Sequence, residues 1–124
     1  MEMVIALILF NLVHFAADFT HLSTPWMLSA KRFGKPVLPI AAHALLHTTL
    51  FLLVGLCIAE AWAAIVVALI QFITHGSIDV LKGRINARYA SLQSPANPYH
   101  WYVFGFDQLL HQLVIIYSAY LLNK

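Results

Sequence analysis

The chain has 124 residues, 61% of them hydrophobic and only 10% charged, with a formal net charge of +2 and a mean hydropathy of +0.79. A soluble domain carries about 25% charged residues and, at this length, cannot hide so much apolar surface, so the composition points to a bilayer as solvent. The charge is too small to suggest nucleic-acid binding, which needs a clustered basic face, and the single cysteine, Cys57, excludes an intrachain disulfide and reads as a packing residue.

One domain is expected over 1–124. Segment one covers about 3–22 and is apolar except for Asn11, His14, Asp18 and Thr20. No basic stretch precedes it and no small-residue cleavage site follows it, so it is expected to stay in the mature protein. Residues 23–36 begin with Ser23 or Thr24 before Pro25, an N-cap signal, and end at Gly34 and Pro36. They predict a short amphipathic helix at the membrane interface, with Trp26 as an aromatic anchor.

Segments two and three cover about 37–58 and 61–81, and the link around Glu60 is short enough to force an antiparallel hairpin. Residues 83–100, with Gly83, Pro95, Asn97 and Pro98, read as the longest loop, and segment four covers about 101–122. Each apolar segment is near the 20 or so residues that cross about 30 Å of hydrocarbon as a helix. Backbone groups in lipid must be satisfied within the segment. The expected fold is therefore all-α: a four-helix transmembrane bundle with a short interfacial helix between helices one and two.

Lys31, Arg32 and Lys35 lie between segments one and two, and Lys82, Arg84 and Arg88 between three and four, whereas the remaining link carries only Glu60. The positive-inside rule then places both basic loops in the cytoplasm and both termini on the non-cytoplasmic side, with Lys124 running against the trend. The aromatics Tyr99, Trp101 and Tyr102 read as an interfacial belt, and Trp62 as its counterpart on the other side.

Each segment carries a pair of metal-capable side chains four residues apart: His14 and Asp18, His43 and His47, His75 and Asp79, Asp107 and His111. That spacing puts both members on one helix face. A charged residue in lipid costs roughly 2.5–3.5 kcal/mol on insertion scales unless it is paired or ligated. At 1.5 Å per residue all four pairs fall roughly 5–17 Å from the cytoplasmic boundary. Four pairs at matched depth predict one buried polar site.

Five imidazoles and three carboxylates suit one or two divalent ions, zinc first, iron or manganese next. An open coordination position would make a bound water acidic enough to attack an ester, amide or phosphoester. Asp18, Asp79 and Asp107 are the candidate general bases. Lys82, three residues after Asp79, is a candidate for neutralising a carboxylate or holding an anionic group, against the plainer reading of a snorkelling lysine. Gln108 is placed to orient a ligand, whereas Ser77 is out of phase with the His75–Asp79 face. His21 and His100 sit near segment ends and read as interfacial.

The stretches His-Phe-Ala-Ala-Asp-Phe (14–19), Ala-His-Ala-Leu-Leu-His (42–47), His-Gly-Ser-Ile-Asp-Val-Leu-Lys (75–82) and Phe-Asp-Gln-Leu-Leu-His (106–111) resemble a bacterial family of small integral membrane proteins. It is known only as the domain of unknown function numbered three-three-zero-seven. Trp26 and Lys31 also fit its pattern; where the family has a glutamine close after Asp-Phe, this chain has His21 and Leu22. The resemblance covers nearly the whole chain and implies a bacterial or phage source and a four-helix membrane protein, without an activity. A looser similarity, in style only, is to bacterial membrane-bound metal-dependent hydrolases.

The leading expectation is a metal-dependent hydrolase in the bacterial inner membrane, acting on a lipid or other amphiphile at the cytoplasmic leaflet. One alternative is a diiron lipid oxidase or desaturase. Another is a non-enzymatic metal or proton transporter or sensor; the bare outer half of the segments (Leu7, Ile8, Leu52, Leu53, Val66, Val67, Ile115, Ile116) speaks against a through-pore. Three carboxylates among the candidate ligands disfavour haem. A purely structural, polar-glued bundle is the plainest alternative. A homo-oligomer is compatible with helices this short.

Overall fold

The computed structural model describes residues 2–124, so position 1 of the expected 1–124 unit lies outside the described residues. Five α-helices follow one another: α1 (Glu2–Phe19), α2 (Pro25–Phe33), α3 (Val37–Ile58), α4 (Ala61–Arg88) and α5 (Pro98–Leu122), with a 3₁₀ turn at Ala90–Gln93 before the last. No strand occurs among the described residues. The four long helices form a closed ring in which α1 touches α3 and α5, and α4 touches α3 and α5. Neighbours run antiparallel: Asp18 and His14 of α1 meet His43 and His47 of α3 in reversed order, and Lys82 and His75 of α4 meet Asp107 and His111 of α5 likewise.

Three helices, α1, α3 and α4, are long and apolar enough to cross a membrane. Of the four expected spans, α5 falls short of that hydropathy. Asp107, Gln108, His111 and Gln112 fall within two turns of α5 and pull its mean hydropathy down. The outward faces suit lipid better than water: Ile8, Leu45, Leu53, Ile73 and Leu109 are all more than half exposed. Cys57 is exposed on this outer surface as well, not packed inside.

Inside, the two halves of the bundle differ. One half is dry: Ala6, Phe10, Phe51, Val67, Ile115 and Ala119 form an apolar cluster, with the Phe10 and Phe51 rings stacked at 4.4 Å. The other half is polar and is closed off by α2. Here the expected short helix forms as its signals dictate. Thr24 is the N-cap, accepting from Met27 N at 3.4 Å, and Gly34 ends the helix in the left-handed region at φ 66°.

Two boundaries move. The first helix stops at Phe19 rather than near position 22. The Thr20 hydroxyl bonds back to the Ala16 carbonyl, and Ser23 Oγ donates to the Ala17 carbonyl at 2.8 Å. Those bonds satisfy last-turn carbonyls and turn the chain away. The third long helix instead runs two turns past position 81, to Arg88. Gly83, read as a loop signal, is buried in it, because α2 crosses α4 there backbone to backbone. A Cβ on Gly83 would collide with Gly34 N and the Lys31 carbonyl. The rest of the expected loop is short and ordered: Asn97 Oδ1 caps α5 by accepting from Tyr99 N at 3.0 Å, and Trp101 Nε1 donates to the Pro95 carbonyl at 2.9 Å.

A substitution tests that crossing. Gly83→Ala should lower stability by about 1–3 kcal/mol, since the clashing atoms are backbone and cannot rotate away. Gly105→Ala, where an added Cβ meets nothing within 4 Å, should be neutral or stabilising by about 0.5–1 kcal/mol. Thermal melting in detergent compares the two; equal melting temperatures would remove the tight crossing.

Candidate metal centre

The polar half is built on the same helix stripes that build the dry half. Along α1 the buried positions are Ala6, Phe10, His14 and Ala17. Along α3 they include His43, His47, Phe51 and Gly55. Along α4 they include Val67, Gln71, His75, Asp79 and Gly83, and along α5 Asp107, His111 and Ile115. A spacing of three or four residues keeps each series on one face. The same inward stripe therefore changes from aromatic and aliphatic to imidazole and carboxylate halfway along the bundle.

Two candidate ligand sets result. One atom each from Asp18, His43, His47 and His75 lie within 4.8 Å of one another, and so do atoms from His75, Asp79 and His111. His75 belongs to both. The Asp18 carboxylate is the hub of the first set, with Oδ1 at 2.8 Å from His43 Nε2 and 3.4 Å from His47 Nε2. Asp79 Oδ2 lies 3.3 Å from His75 Nε2. The His47 and His75 rings stack at 3.7 Å, and the His75 and His111 rings approach at 4.3 Å.

Two of the eight candidates stand apart. His14 is outside both sets; its ring lies 5.1 Å from His47 and 5.4 Å from His111, and its Nε2 is 3.3 Å from Asp18 Oδ2. Asp107 is outside both and pairs with cations and amides. Its Oδ2 accepts from Lys82 Nζ and Gln108 Nε2, each at 3.0 Å. Lys82 thus serves Asp107 across the bundle, not Asp79 on its own helix. His111 Nδ1 donates to the Asp107 carbonyl at 2.8 Å, which leaves Nε2 as the lone-pair nitrogen facing the site.

Three contributors were not among the candidates. The most consequential is Lys31, whose ammonium lies 2.8 Å from Asp18 Oδ1, 3.0 Å from His43 Nε2 and 3.3 Å from Asp79 Oδ2. Burial alone would lower its pKa, but the Asp79 and Asp18 carboxylates more than offset this and hold it above the ordinary lysine value. It is an internal cation seated among the candidate ligands. In the sequence it reads as a topology marker and a match to the family pattern, not as a site residue. Yet Met27, Ala30, Lys31 and Gly34 share the i, i+3, i+4, i+7 stripe of α2, which was the available signal. Gln71 lies one turn before His75, its amide 3.4 Å from His75 Nδ1; the series 71, 75, 79, 83 would have revealed it. Ser23 Oγ lies 3.4 Å from His43 Nδ1, and no sequence pattern announces that.

Eleven buried side-chain polar atoms lack a well-aligned hydrogen bond among the described residues, and eight of them belong to the candidate residues: both ring nitrogens of His14 and His47, His75 Nε2, His111 Nε2, Asp79 Oδ2 and Asp107 Oδ1; His14 Nε2, His47 Nε2, His75 Nε2 and Asp79 Oδ2 keep only approaches of 3.3–3.4 Å to a neighbouring side chain. Each such atom costs about 1–3 kcal/mol if nothing meets it. Buried imidazole and carboxylate atoms concentrated in this way, one nitrogen of each neutral ring carrying a lone pair, suit a cation site, and such mixed donors fit zinc, manganese or non-haem iron.

Residues 6–124 match the model of a family described as protein of unknown function (DUF3307). No curated protein and no solved structure matches the chain.

Proposed function

The chain belongs to the DUF3307 family, a membership that carries no chemistry with it, and from the site itself we propose a membrane-embedded metal-dependent hydrolase of lipid or other amphiphilic substrates. The observation that supports it is the concentration of weakly partnered imidazole and carboxylate atoms between the two candidate ligand sets. In this reading Asp18, His43, His47 and His75 would hold one ion, and Asp79 and His111 would position water beside it. His14 lines the back of the site. Zinc is the first choice because it takes both donor types without redox chemistry.

An ion held there would supply a water acidic enough to attack an ester or phosphoester linkage. Asp79 is placed to take up that water's proton and to return it to the departing alkoxide as the C–O or P–O bond breaks. Lys82 and Asp107 act at the edge of the site, where the substrate's polar group arrives.

α5 enters the membrane with the other three helices in this proposal. Its inward face holds the polar residues, while Phe106, Leu109, Leu113 and Ile116 face outward and are at least half exposed. Lys31, Arg32, Lys35, Lys82, Arg84 and Arg88 gather at the polar end, which the positive-inside rule assigns to the cytoplasmic face of a bacterial inner membrane. Both termini then lie on the opposite side. The stacked Phe10–Phe51 pair and the aliphatic residues around it dominate the non-cytoplasmic half, where Gln71 and Ser118 are the buried polar side chains on the inward stripes of α4 and α5, which disfavours a transporter.

A second reading, two irons and lipid oxidation, rests on the further donors Asp79 and His111 beside the first set. Metal analysis by mass spectrometry on protein purified in detergent without added metal separates the two. One or two equivalents of zinc per chain is the expected result. Iron with a visible absorption band would shift the assignment to oxidation. No metal, before or after adding zinc, would overturn both.

A further inference from the structure

Beside the ligand sets, and outside them, lies a cavity of about 320 Å³. Its wall includes Asp18, Lys31, Arg32, Lys82, His100 and Asp107, so it touches the metal centre at one side and the α2–α5 rim at the other. Three cations face two carboxylates. Lys31 and Lys82 are engaged by those carboxylates, but Arg32 is not. Among the described residues its only hydrogen bond runs from Nε to Gln93 Oε1, at 2.8 Å. Gln93 is itself held by donating Nε2 to the Asn86 carbonyl at 3.0 Å. This brace orients the guanidinium and leaves its terminal nitrogens for a partner. Planar, bidentate donation of that kind suits phosphate. His100 is fixed at the same rim by donating Nδ1 to the Leu92 carbonyl at 2.6 Å.

An apolar groove lies on the other side of the Lys82–Asp107 pair. Between α4 and α5, Ile78, Leu81, Ile85, Tyr102, Phe106 and Leu110 line a space of about 460 Å³, and Lys82 and Asp107 line both this groove and the polar cavity. A polar chamber and a hydrocarbon groove that meet at a lysine match a molecule with an anionic head and an alkyl tail.

We propose that the substrate is a phosphate-bearing lipid, its phosphate held by Arg32 and Lys82 in the chamber and one acyl chain lying in the α4–α5 groove. This rests on the hydrolase reading and adds the substrate class to it. The head group then sits at the cytoplasmic rim, with its ester linkages directed toward the Asp18 side of the cavity.

The test uses metal-stripped protein in neutral detergent, so that lipid capture is read independently of the metal. It is titrated with dioleoylphosphatidic acid, dioleoylglycerol and inorganic phosphate in separate arms, with bound ligand counted by native mass spectrometry. Dioleoylphosphatidic acid should bind at least about tenfold more tightly than either of the others, because it alone offers both a charge-assisted phosphate contact and a buried chain. Arg32→Gln, on the exposed side of α2, should weaken it about tenfold, and Ile85→Trp should weaken it by filling the groove. Dioleoylglycerol binding equally well would overturn the phosphate contact. Inorganic phosphate binding equally well would overturn the lipid. Wild-type binding by Arg32→Gln would overturn the chamber. A chain that binds zinc and fails this titration leaves the hydrolase reading standing; one that binds the lipid and no zinc does the reverse.

Discussion

Replacement of His75 by alanine should abolish metal binding if the proposed centre forms. His75 is the one residue common to both ligand sets, and its ring is packed against His14, His43, His47 and His111. No neighbour can take its place without a backbone shift, because the others are tied to their own helices. Loss of a residue that only orients a ligand costs about 10–100-fold in metal affinity. Loss of a shared ligand should therefore cost more than about a hundredfold, and bound metal should fall to a small fraction of wild type. Gln71→Ala provides the scale: it removes the amide beside His75 Nδ1 and should give the smaller, 10–100-fold loss. His100→Ala should leave metal content unchanged, since that ring bonds to the Leu92 carbonyl away from the ligand sets. Folded His75→Ala protein with wild-type metal content would remove the shared-ligand model.

Lys31→Met should produce the second large effect, of opposite sense with and without metal. In metal-stripped protein the ammonium is the only cation in contact with Asp18 and Asp79 among the described residues. Its side chain is 15% exposed, and those of the two carboxylates 6% and 1%. Removing one partner of such a buried cluster costs about 3–5 kcal/mol, because the remaining charge is left uncompensated. Methionine keeps most of the length and the apolar stem, so the loss would report charge rather than packing. Zinc should then restore most of the stability, and should bind more tightly than in the wild type, where it competes with the ammonium for Asp18 and His43. Thermal melting with and without zinc reads both effects. An unchanged melting temperature without metal would mean that Lys31 does not neutralise the site. A loss that zinc leaves uncorrected would mean that metal and ammonium do not share a place.

Much of this architecture is written in short-range patterns. The caps of α2 are an example: Thr24, Pro25 and Gly34 act through their own backbone neighbourhood, and the helix forms where they direct it. The hairpin at Glu60 follows from a link too short for anything else. Less was legible where an element's fate depends on a partner. Gly83 looks like a loop residue until α2 is laid across it. Asp107 looks like a ligand until Lys82 reaches it from α4. Four residues of polar side chain in α5 count against a membrane span in hydropathy, although in the folded bundle Asp107 and His111 turn inward.

By itself the sequence determined that the chain is helical and lipid-compatible, that each of four helices carries a pair of metal-capable side chains on one face, and that these pairs lie at one end. All of these are consequences of composition, period and distance along a single helix. Only the tertiary structure decided which atoms meet: that His75 is common to two ligand sets, that Asp107 is drawn aside to Lys82, and that Lys31 sits among the carboxylates. Those outcomes depend on the rotation of each helix about its axis and on how closely α2 approaches α4. The Gly34–Gly83 contact sets that approach, and it joins two elements about fifty positions apart, beyond the reach of any local pattern.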